Sequence, residues 1–122
     1  MSGSLRSRIT VGLTTLMLAA PAAVLLPATP ALAFVVVNGT GTHWSPSSVT
    51  IAHGVSIHWH AKLGNHILKA YGGNWSFFHT LNQGATVSRT FFTRGIFHFY
   101  CTIHGRLVNG VCSGMCGKII VT

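Results

Sequence analysis

Not one aspartate or glutamate occurs in the 122 residues of this chain. Carboxylate acid–base pairs, aspartyl nucleophiles, Ser-His-Asp triads and all-oxygen calcium sites are excluded by that absence, because each needs side chains the chain lacks. The eight Lys and Arg residues stand uncompensated, for a formal net charge of +8. Such a balance aids solubility and favours anionic partners or surfaces. Beyond Arg6 and Arg8 the basic residues are Lys62, Lys69, Arg89, Arg94, Arg106 and Lys118. They are scattered rather than run together, and no aromatic platform accompanies them, which argues against nucleic acid. Cysteine is scarce and odd in number at three, so one thiol is left free or bound to a metal if the other two pair. Internal repeats and long amphipathic helical patterns are missing as well.

The first third of the chain has the pattern of an export signal. Arg6 and Arg8 give a basic start, residues 9–26 are apolar and alanine-rich, and Ala31-Leu32-Ala33 is a small-residue cleavage site. An apolar run of this length is at the margin for spanning a bilayer as a retained anchor. Pro21, Pro27 and Pro30 interrupt it, which favours cleavage. The segment has no Cys to carry a lipid, and Ser7 splits the two arginines, so a twin-arginine signal is not supported. The expectation is a signal peptide over 1–33 and a single domain over 34–122, exported to the periplasm or the exterior, monomeric and without a membrane span after cleavage.

Past residue 33, short strand-like runs alternate with Gly, Pro, Asn and Ser. Strands are expected over 34–37, 49–52, 55–60, 65–71, 85–93, 96–101 and 117–122, with an aromatic-rich loop over 72–80. In the third run Val55, Ile57 and Trp59 point one way while Ser56, His58 and His60 point the other. Such a rhythm predicts an all-β fold, a two-sheet Greek-key sandwich or barrel.

The chemistry concentrates between Phe97 and Met115, FHFYCTIHGRLVNGVCSGM. Cys101 follows an alternating strand with Phe97 and Phe99 on its face, His104 comes three residues later, and Met115 closes the segment. A thiolate, an imidazole and a thioether on one stretch suit copper, which in a Cys/His site takes a second imidazole and a weak axial thioether. The second imidazole must come from elsewhere, and His66, opening a strand after Gly64-Asn65, is the best placed. Asn65 could brace the ligand loop through a hydrogen bond. A small buried core residue is the bland alternative for Cys101. His58-Trp59-His60 is a His-x-His pattern, but a single one with outward histidines reads as solvent-facing, or at most as an adventitious metal site. His43, His53, His79 and His98 read as surface or turn residues.

From Trp44 to Thr122 the chain resembles the small cupredoxins, the blue copper proteins of the plastocyanin, pseudoazurin and amicyanin type. The matching pieces are Trp44-Ser45-Pro46 with Val49-Thr50-Ile51, Gly54-Val55-Ser56-Ile57-His58-Trp59, His66, Leu81-Asn82-Gln83-Gly84, the stretch from Gly95 to His104, and Gly114-Met115-Cys116-Gly117. The resemblance implies one type 1 copper on His66, Cys101, His104 and axial Met115, with His104 as the surface electron port. It implies a one-electron carrier between redox partner proteins rather than an enzyme. Two features depart from the pattern. Ala61 stands where many relatives have Asn, and nine residues, 105–113, separate His104 from Gly114, a longer loop than the amicyanin type has.

With Cys101 as ligand, Cys112 and Cys116 remain to pair, and a turn at Gly114 could bring them within disulfide range. The bond would clamp the turn that presents Met115 and compensate for a flexible insertion. If the two were reduced they would add soft ligands, and the chain would instead read as a protein for Cu(I) sequestration or delivery.

Overall fold

The computed structural model describes residues 33–122. They form β1 (Phe34–Thr40), β2 (His43–Ser45), β3 (Ser48–Ile51), β4 (Val55–Leu63), β5 (His66–Tyr71), β6 (Phe78–Leu81), β7 (Thr86–Phe91), β8 (Gly95–Val108) and β9 (Val111–Val121). Among the described residues no helix is long and apolar enough to cross a membrane. The expected signal peptide, 1–33, falls outside the described residues except for Ala33.

Period-two alternation decides which faces meet. On β4, Ile57, Trp59 and Ala61 are buried and Ser56, His58 and His60 are half-buried on the outer side. On β8, Phe97, Phe99 and Cys101 are buried in the same way. The strands assemble into two sheets, ordered β2-β1-β4-β7 and β3-β9-β8-β5-β6. Parallel pairs, β1 with β4 and β3 with β9, sit beside antiparallel ones. The result is the all-β two-sheet sandwich expected from the sequence.

The core between the sheets is largely aromatic. Trp59, fully buried, packs edge-on to Phe99 (centroids 5.4 Å apart) and to Phe91 (6.4 Å), and lies against Trp75 and Phe77. Such pairs add to the burial energy of large rings. Losing one of these rings costs about 3–5 kcal/mol.

Three expectations need correction. The 72–80 stretch is not all loop: Phe78 opens β6, which completes the edge of the second sheet by pairing with residues 66–69. Residues 38–40 continue β1 rather than ending it, because the turn falls at Gly41 (φ 74°). The nine-residue insertion is not a flexible loop. It is the distal part of a β8–β9 hairpin, with Gly105 opposite Gly114, Arg106 opposite Ser113, Leu107 opposite Cys112 and Val108 opposite Val111. Its turn is Asn109-Gly110, both at positive φ (50° and 78°), which is the two-residue geometry whose twist matches paired strands.

Candidate metal centre

The register of β8 against β9 creates the site. Tyr100 pairs with Cys116 and Gly105 with Gly114, so the four residues 101–104 stand opposite Met115 alone. The surplus residues bulge, and the bulge turns Cys101 and His104 toward one another. Cys101 is fully buried and unpaired, with its sulfur 3.6 Å from His104 Nδ1. His104 is half-buried.

His66 arrives from the other side. After β4 the chain reverses at Gly64 (φ 85°) and enters β5 at His66, which is fully buried. Its Nε2–H donates to the Leu63 carbonyl at 2.8 Å. A carbonyl can only accept, so the proton is on Nε2 and the bare Nδ1 lone pair faces Cys101 Sγ at 3.7 Å. An outer partner that fixes tautomer and ring orientation is what metal-binding histidines require. Trp44 packs on the His66 ring with centroids 5.6 Å apart. Gly39 leaves the ring its room, since a Cβ there would come within 2.8 Å of His66 Cδ2.

One ligand atom each from His66, Cys101 and His104 therefore lies within 4.8 Å of the others. Cys101 Sγ thus lies within reach of both imidazoles, and the three residues together could hold one metal ion. The sulfur stands 3.7 Å from the His66 nitrogen and 3.6 Å from the His104 nitrogen, a mixed thiolate–imidazole set of the kind that would hold a soft metal ion. With no acidic side chain in the chain, the donor set is soft and suits copper or zinc rather than calcium or magnesium.

Met115 is fully buried in the same core cluster and lies across from the bulge. Its backbone abuts Gly105, where a Cβ would sit 3.0 Å from the Met115 nitrogen. A Cβ on Gly114 would stand 2.5 Å from the His104 carbonyl oxygen. Cys112 and Cys116 are joined in a disulfide, with Cα atoms 6.2 Å apart across four residues. An extended strand would separate them by about 13 Å, so the bond spans a sharp bend in β9 at Gly114 and Met115.

Asn65 does not brace the ligand loop. Its Oδ1 accepts from the Gln83 backbone N–H and Gln83 Oε1 accepts from the Gly64 N–H, both at 2.8 Å, which ties the His66 turn to the 82–85 turn. Three parts of the site were not anticipated: the Leu63 carbonyl, Gly39 and Gly105. A glycine inside an otherwise regular strand signals a close approach, and Gly39 carried that signal. The remaining histidines lie outside the trio. His58 stacks on Phe34, His60 bonds Thr86, His53 bonds the Thr122 carbonyl, His43 bonds Thr40, His79 lies against Phe77 and His98 lies beside Tyr71.

The two sheets, with the bulge in β8 of the second, have the cupredoxin fold. A variant of amicyanin in its reduced state superposes with a TM-score of 0.60 at 18% identity, over 72% of this chain and 81% of that one. An oxidised amicyanin variant gives 0.61 at 17% identity, over 76% and 86%. The copper-containing nitrite reductase from Thermus scotoductus SA-01 gives 0.61 at 20% identity, over 78% of this chain but only 23% of its own length. No protein-family model matches the sequence, and no curated protein sequence matches it.

Proposed function

We propose that this chain is a mononuclear copper protein that carries single electrons between redox partners, with His66, Cys101 and His104 as ligands and Met115 as the weak axial fourth. The observation that carries the reading is the trio of donor atoms within 4.8 Å, set in the fold of amicyanin. Copper bound there would alternate between Cu(I) and Cu(II). The residues do the rest. Leu63 and Trp44 hold His66 in one orientation, the hairpin ladder holds the bulge, and the core rings exclude water. A site fixed from all sides changes little between oxidation states, so little rearrangement opposes each transfer.

His104, half-buried, is the proposed electron port. The surface beside it is set by the hairpin, whose Ile103, Leu107, Val108 and Val111 are exposed. Arg106 has no acidic side chain in the chain to pair with, which favours an anionic redox protein as partner. The chain turns over no substrate of its own in this reading, and it acts as a monomer. Export to the periplasm or the exterior, with cleavage leaving 34–122, is supported by the leader pattern and by the disulfide, which persists in oxidising compartments. The same disulfide weighs against Cu(I) sequestration, because it removes the two extra thiolates that role would use.

The test is the visible spectrum. The Cu(II) form should be intensely blue or green from charge transfer between the Cys101 thiolate and copper, and Cys101→Ser should abolish the colour. A colourless complex, or a colour that survives Cys101→Ser, ends the assignment.

A further inference from the structure

The outer face of the second sheet carries a line of hydrogen-bond donors that the metal centre does not use. Tyr71 on β5 pairs directly with His98 on β8, His98 pairs with Lys118 on β9, and Lys118 pairs with Ser48 on β3. Directly paired residues share a face and have Cβ atoms about 5 Å apart. Their inner-face neighbours, Phe97, Phe99, Ile119 and Val49, are buried in the core, so these four side chains all face out. The Tyr71 and His98 rings pack with centroids 5.1 Å apart. Around them lies a depression of about 240 Å³ lined by Ser47, Ser48, Tyr71, His98, Cys116, Gly117 and Lys118.

We propose that this row is a binding site for a phosphate-type oxyanion, held by the Lys118 ammonium, the His98 imidazole N–H and the Tyr71 and Ser48 hydroxyls. Three arguments support it. First, the ladder fixes the four backbones in register, so the four donors stand on one face at neighbouring positions. Second, the chain has no acidic side chain, so Lys118 cannot be neutralised by an Asp or Glu and its charge is available. Third, burial pushes the Tyr71 phenol above its usual value, which keeps the hydroxyl protonated and donating. An oxyanion with several acceptor oxygens is the complement of such a row. The depression is roomier than one inorganic phosphate needs, so a phosphomonoester or a lipid phosphate headgroup fits the same chemistry.

Titration of the protein with inorganic phosphate, at ionic strength held constant with sodium chloride and followed by nuclear magnetic resonance, tests the site. The expected result is saturable shifts at Tyr71, His98, Lys118 and Ser48 sharing one dissociation constant. Lys118→Ala and His98→Gln should each weaken binding at least tenfold, whereas Arg89→Ala should not. A parallel arm measures association with phosphatidylglycerol vesicles. Vesicle binding lost in Lys118→Ala, without saturable binding of free phosphate, identifies the headgroup as the source. Shifts spread equally over Arg89, Arg94 and Arg106, or no saturation in either arm, overturn the proposal. The copper reading plays no part in this outcome.

Discussion

At the residue scale, the imidazole of His66 shows how little freedom the site leaves. One nitrogen is committed to the Leu63 carbonyl, Trp44 covers the ring, and Gly39 supplies space that no other residue could leave. Gly39→Ala should therefore push the ring away from Cys101 and weaken metal binding by about 10–100-fold, the usual effect of disturbing a ligand's support. Competition with a chelator of known affinity measures it, and unchanged affinity would show that the ring has slack. Met115 is the softer case, because the role proposed for it is a weak axial bond. Met115→Leu should keep copper and colour but raise the reduction potential, since losing a donor disfavours Cu(II). If voltammetry and the spectrum are both unchanged, Met115 is not the axial ligand. Residue type, spacing and the resemblance single out Cys101, His104 and Met115 as candidates, and the fold brings the first two together with His66. The Leu63 carbonyl was not legible, because every residue has one and only the fold decides where it points.

At the element scale, the β8–β9 hairpin departs furthest from the expected loop, although the sequence marks it. Val108-Asn109-Gly110-Val111 has the strongest short hairpin signal, Asn-Gly between β-branched residues. Counted only as the nine residues between His104 and Gly114 the span resembles a loop, whereas its Asn-Gly turn marks a hairpin. An isolated two-stranded ribbon is marginal in water, so its turn chemistry matters. Gly110 sits at φ 78°, and Gly110→Ala should cost about 1–2 kcal/mol, the penalty for placing a Cβ in the left-handed region. Thermal unfolding reads the loss, while the copper spectrum should stay unchanged because the turn lies at the far end of the ribbon. The disulfide at the ribbon's base was anticipated from the odd cysteine count and the Gly114 turn. Thiol labelling of denatured, unreduced, metal-free protein should find one reactive thiol, at Cys101. Three would show that the bend at Met115 holds without a covalent tie, and would return the sequestration reading to contention.

At the scale of the whole molecule, the fold was legible because strand alternation survives in β4, β5 and β8, where one face packs against the aromatic core. It was less legible at the edges. The short strands β2 and β6 are set by pairing with a neighbour, and pairing leaves no periodic mark in so few residues. Charge was legible from the start, and it yields the last prediction. Six Lys and Arg and no acidic side chain lie beyond residue 33, so the field around the domain has one sign. Arg89 is occupied in part by packing over Trp75 and Phe77, 5.8 and 5.6 Å from the ring centres, whereas Arg106 lies on the hairpin next to His104 and lines the hollow beside it. Encounter with an acidic redox protein should therefore be steered toward the port, and steering of this kind weakens as salt shortens the screening length to about 10 Å at 0.1 M. Stopped-flow rates with an acidic cytochrome should fall at least tenfold between low and physiological salt. Arg106→Glu should lower the low-salt rate more than Arg94→Glu does, although both change the net charge equally. With a cationic cobalt complex the dependence should reverse, because salt then relieves repulsion. Equal effects of the two substitutions would mean that net charge alone attracts the partner, and salt-independent rates would remove electrostatic steering altogether.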